Sequence, residues 1–137
     1  MNLGIQKKNK ITFSNNKVNL GNILIVEDES LVSWSIANAL KKEGFKVTIV
    51  ETGEQAIDLI NLGEYDLVIT DFKLPVKNGF EVAEYVKIKL PSIPVIMISA
   101  FQESKAMLEM FKDKIDFYIQ KPFKLSDIVT AVKELIS

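Results

Sequence analysis

The stretch Ile23-Leu24-Ile25-Val26-Glu27-Asp28-Glu29 sets four consecutive aliphatic side chains directly before three acids. A strand with one wet face alternates polar and apolar residues. A run that is apolar on both faces belongs to a strand covered on both sides, as in a parallel sheet between helix layers. The pattern returns at Leu67-Val68-Ile69 before Thr70-Asp71, and at Val95-Ile96-Met97-Ile98 before Ser99-Ala100. Each run ends in polar or acidic residues, so each strand carries chemistry to the same end of the sheet.

Outward from these runs, strand and helix signals alternate. Strands are expected over 22–27, 46–51, 66–70, 94–99 and 115–119. Helices are expected over 30–42, 54–62, 80–90, 103–112 and 125–136, the fourth having the weakest pattern. In the first, Val32, Ile36, Ala39 and Leu40 share a stripe and Gly44 follows as a stop. Five strand–helix units imply an α/β sandwich with a parallel sheet and right-handed crossovers. In such sheets ligands gather beyond the carboxyl ends of the strands, beside a switch point.

Residues 1–20 carry Lys7, Lys8, Lys10 and Lys17 and no acid, and show no sustained period. They are expected to form a flexible basic extension before a domain over 21–137, with a docking arm for an acidic partner as the alternative. The chain has 137 residues, 47% hydrophobic and 26% charged, which suits one globular core. It has no Cys and no His, which excludes disulfides, thiolate or imidazole metal sites and a Ser-His-Asp triad. Nothing approaches a membrane span or a secretory signal, so a cytoplasmic protein is expected. A net charge of -1 gives no basic field for nucleic acid. The chemistry must rest on carboxylates, hydroxyls, lysines and backbone.

Glu27, Asp28 and Asp71 fall on neighbouring strand ends, where like charges repel and raise one another's pKa. A hard divalent cation removes that conflict, and Mg²⁺ takes oxygen ligands from one or two carboxylates while keeping waters. The pair Glu27-Asp28 alone also fits solvated acids at a helix N-terminus. Adding Asp71, Ser99 and Lys121 favours phosphoryl chemistry, which needs a nucleophile and groups that stabilise charge on the phosphoryl oxygens. Lys121-Pro122 marks a tight turn in which a cis bond can occur.

The strings Ile23 to Glu29, Val68-Ile69-Thr70-Asp71-Phe72-Lys73-Leu74-Pro75, Pro94 to Ala100, and Asp116-Phe117-Tyr118-Ile119-Gln120-Lys121-Pro122-Phe123 together resemble the receiver domains of two-component response regulators. Gly79 fits that family's loop into the third helix. The resemblance covers residues 22–137. It implies a flavodoxin-like (βα)5 fold with strand order 2-1-3-4-5. It implies Asp71 as phosphoacceptor, served by a histidine kinase or histidine phosphotransfer protein. It implies Mg²⁺ bound by Asp28 and Asp71, by Glu27 mainly through water, and by the Lys73 carbonyl. Ser99 and Lys121 would hold phosphoryl oxygens, and Tyr118 would be the aromatic switch. Intrinsic self-phosphorylation and autodephosphorylation follow, and a phosphorylation-dependent dimer is compatible. The output partner and pathway stay open, as does whether this is a whole regulator or the first domain of a longer one.

Three departures stand out. Glu27 replaces the commoner Asp, Ser99 the commoner Thr, and Lys112-Asp113-Lys114-Ile115 lacks the usual Gly-Ala. A flavodoxin-type cofactor binder would need a phosphate loop where the three acids stand. Neither G-x-x-x-x-G-K-[ST] nor G-x-G-x-x-G occurs. A degenerate receiver used only for protein interaction is opposed by the near-complete acidic set.

Overall fold

A computed structural model describes residues 18–100 and 109–136. In chain order the elements are β1 (Asn22–Val26), α1 (Ser30–Lys42), β2 (Lys46–Val50), α2 (Gly53–Ile60), β3 (Leu67–Asp71), α3 (Gly79–Lys89), β4 (Val95–Ala100), β5 (Phe117–Lys121) and α4 (Leu125–Ile136). The strands form one sheet in the order β2-β1-β3-β4-β5, and every pairing is parallel. The expected architecture and strand order are both present. Of the helix expected over 103–112, positions 103–108 lie outside the described residues, and 109–111 are helical. The extension expected over 1–20 lies outside them as far as residue 17. Within its last part, the Leu20 N–H donates to the Gly44 carbonyl at 3.1 Å.

The apolar runs do what their pattern requires. Ile23 and Ile25 of β1, Ile69 of β3, and Ile96 and Ile98 of β4 pack on one side with Ile36, Leu40, Ile128 and Val132 of α1 and α4. Leu24, Val26, Val68, Val95 and Met97 face the other side, with Ala56, Ile60, Val82 and Val86 of α2 and α3. The period-2 alternation of the strands thus splits the interior into two separate cores.

Local chemistry fixes the helix starts. Thr52 and Gln55 form a reciprocal capping box at α2, and Asn78 and Glu81 form another at α3. Gly79 lets α3 begin against the end of β3, since a Cβ there would lie 2.3 Å from the Asp71 carbonyl oxygen. Between Asp71 and α3, the Lys77 N–H donates to the Pro75 carbonyl at 2.7 Å across Val76, whose φ is 65°. Such a φ costs a non-glycine residue about 1–3 kcal/mol. Gly53 lies close against this turn: a Cβ there would stand 2.8 Å from the Lys77 Cβ.

Two elements differ from their expected limits by two residues, and of these α2 ends at Ile60 rather than at 62. The fifth strand begins at Phe117 rather than at 115. The Asp116 carboxylate accepts the Val95 N–H and pairs with Lys87, which also donates to the Ile93 carbonyl. Ile115, the apolar residue that suggested strand, packs instead against the α2/α3 core. No helix among the described residues is long and apolar enough to cross a membrane.

Candidate receiver phosphorylation site

The carboxyl ends of β1, β3, β4 and β5 meet at one rim. Glu27 and Asp28 follow β1, Asp71 ends β3, and Lys121 ends β5. One carboxylate oxygen from each of Glu27, Asp28 and Asp71 lies within 4.8 Å of the others. Glu27 and Asp71 are buried and Asp28 is exposed. The Lys121 ammonium stands 3.3 Å from both Asp71 oxygens. It also lies 3.9 Å from Glu27 Oε1 and 4.0 Å from Glu29 Oε1. The Lys121-Pro122 bond is cis. Glu29 therefore enters the cluster as a partner of Lys121, and its N–H donates to Glu27 Oε2 at 3.0 Å.

Burial dominates the electrostatics. It pushes the Glu27 carboxyl up to about 7, aided by repulsion from Asp71 and Asp28 and partly offset by the Glu29 N–H and Lys121. Burial likewise raises Asp71, against the pull of Lys121. For Lys121, burial alone would lower the ammonium, but the charges of Asp71, Glu27 and Glu29 together raise it above the ordinary lysine value. Glu27 Oε1 is buried with no hydrogen-bond partner among the described residues. A buried carboxylate oxygen left unsatisfied carries a desolvation penalty. The site is short of positive charge at the point where three carboxylates converge.

Ser99, one residue beyond the β4 partner of Asp71, is buried, and its hydroxyl meets the Tyr118 hydroxyl at 2.6 Å. The two residues expected to act together as a switch are thus already in contact. Lys73 lies in the loop two residues after Asp71, with its side chain exposed. Trp34, off the core stripe of α1, is exposed.

The model of the response regulator receiver domain matches residues 23–133. The chain belongs to that family. Among curated relatives, this receiver domain is 28% identical over 114 residues to the cell cycle transcriptional regulator CtrA of Caulobacter vibrioides, covering 83% of the chain and 49% of that protein. The chain therefore spans about half the length of the curated relatives it matches. Among solved structures it is similar to the response regulator TrrA of Thermotoga maritima in complex with Mg²⁺ and BeF, at 31% identity and a TM-score of 0.75, covering 83% of this chain and 97% of that one. It is similar as well to a CheY-like receiver domain protein of Methanospirillum hungatei, at 28% identity and a TM-score of 0.78, covering 84% and 92%. The receiver domain is a signalling domain of two-component systems.

Proposed function

We propose that Asp71 accepts a phosphoryl group in an Mg²⁺-dependent reaction, from a phosphohistidine on a histidine kinase or histidine phosphotransfer protein, and that the phospho-form switches a protein-interaction surface. The observation that carries this reading is the buried Asp71 carboxylate, with Lys121 at 3.3 Å and Glu27 and Asp28 converging on it. The residues fit Mg²⁺. The donors are all hard oxygens, and one of them, Glu27 Oε1, accepts no hydrogen bond among the described residues. Glu27, Asp28 and Asp71, with the Lys73 carbonyl, would hold the ion. Bound there, it would neutralise the carboxylates and polarise the phosphoryl oxygens.

The chain's own groups supply the rest. An Asp71 oxygen attacks phosphorus as the bond from phosphorus to the donor imidazole nitrogen breaks. The bonding pair leaves with that nitrogen, which takes a proton from solvent. Lys121 moves from sharing Asp71 to holding a phosphoryl oxygen, and the Ser99 hydroxyl donates to another. Tyr118, joined to Ser99 at 2.6 Å, registers that change. Small phosphodonors serve the same site, and the phospho-form hydrolyses itself. On this reading the functional unit runs over 21–137, with residues 1–20 as an extension.

The test is incubation with acetyl phosphate and Mg²⁺, followed by intact mass measurement. Wild type gains one phosphoryl group, and Asp71→Asn gains none. Equal labelling of both proteins would place the acceptor elsewhere.

A further inference from the structure

Val76 combines two unfavourable choices. Its φ of 65° lies in the left-handed region, where a β-branched residue is an outlier. Its side chain is 86% exposed, so it adds to neither core. The turn does not require valine. Glycine or asparagine would close the same Lys77 to Pro75 hydrogen bond with less strain. A lone exposed apolar residue needs no explanation. One held in strained backbone, on the loop that joins Asp71 to α3, does. What valine adds there is an isopropyl group presented to whatever approaches the loop.

The topology says what approaches. In a parallel sheet every strand-to-helix connection lies at the same edge. Val76 in the connection after β3, and Leu31 and Leu125 in the first turns of α1 and α4, therefore stand at the end of the sheet that holds the acidic cluster. Leu31 is 76% exposed and Leu125 39% exposed. The centre is charged, and the collar of connections around it mixes these exposed apolar groups with exposed Glu29, Lys73 and Lys124. A small phosphodonor reaches Asp71 without touching the collar, whereas a protein donor covers it.

We infer that Val76 is a specificity contact for the phosphodonor protein, its side chain docking against apolar surface beside the donor's phosphohistidine. This inference rests on the phosphoacceptor reading above and adds a partner surface to it. Burying one small aliphatic group is worth about tenfold in transfer efficiency.

Three proteins test it: wild type, Val76→Asn, which tolerates the left-handed φ without the apolar group, and Val76→Leu, which keeps the group. Each is labelled with acetyl phosphate and Mg²⁺, and separately with a panel of purified histidine kinases autophosphorylated by ATP. The expected result is acetyl phosphate labelling within about twofold for all three. With the kinase that transfers to wild type with the highest kcat/KM, Val76→Asn should lose about tenfold in kcat/KM, carried mainly by KM, and Val76→Leu should retain its rate. Undiminished transfer to Val76→Asn from that kinase overturns the contact. An equal loss in the acetyl phosphate arm also overturns it, because Val76 would then act through the geometry of the site. If wild type accepts phosphoryl groups from neither source, the phosphoacceptor reading itself fails.

Discussion

Replacing Glu27 by glutamine tests the electrostatic account of the site most directly. A carboxylate whose folded-state pKa lies above its unfolded value binds its proton more tightly when folded. It favours the native state while protonated, and that contribution is lost as pH rises through the folded value. For Glu27 the window runs from the ordinary 4.5 to about 7. At roughly 1.4 kcal/mol per pH unit, the ionised side chain costs the metal-free fold about 3 kcal/mol above the window. Glu27 is only 2% exposed, so solvent does little to screen this. Glutamine keeps the shape and the acceptor for the Glu29 N–H but carries no charge, and Lys121 retains Asp71. In urea titrations followed by circular dichroism in EDTA, Glu27→Gln should be more stable than wild type by about 2–3 kcal/mol near pH 8, with the gap closing toward about pH 4.5. Saturating Mg²⁺ should shrink the gap by stabilising native wild type. If the variant is no more stable than wild type near pH 8 without metal, burial of Glu27 is not the frustration described here.

Three further outcomes follow from the same geometry. Asp28→Ala should weaken Mg²⁺ binding, measured by calorimetry, more than Glu27→Ala, because the short Asp28 and Asp71 side chains would coordinate directly; unchanged affinity in both variants would leave the cluster merely solvated. Ser99→Ala removes the 2.6 Å contact with Tyr118; NMR spectra with beryllofluoride should then lack the changes around Tyr118 seen in wild type, while some phosphorylation persists. Gly79→Ala puts a Cβ 2.3 Å from the Asp71 carbonyl oxygen; a loss of about 2–4 kcal/mol in urea unfolding is expected, with slower labelling of Asp71, and a neutral substitution would show that α3 can retreat cheaply.

The sheet was legible because its strands are apolar on both faces, a pattern that a half-exposed strand does not produce. The site was legible because acids, a hydroxyl and a lysine close four of those strands in order. Sequence could not show which of two adjacent acids turns inward. Glu27 is buried and Asp28 exposed, a choice made by how the chain leaves β1. Nor could it show that Ser99 and Tyr118 already touch, since 19 positions separate them. Ile115 misled because apolarity marks burial and not hydrogen bonding: it is half-buried beneath the α2/α3 layer, while the ladder starts two residues later. The left-handed turn at Val76 was invisible for the opposite reason. Position 76 is itself neither glycine nor asparagine, and the neighbour that lies close against the turn, Gly53, belongs to another element.

The division of the interior by the sheet bears on how such a chain can change over time. Side chains of α1 and α4 pack on one side, and those of α2 and α3 on the other. Substitutions that do not touch one another usually add in their effects. A lineage can therefore repack the α1/α4 layer while the α2/α3 layer keeps its own set of side chains. The rim, fed by strands that both layers share, stays fixed while its two flanks diversify independently.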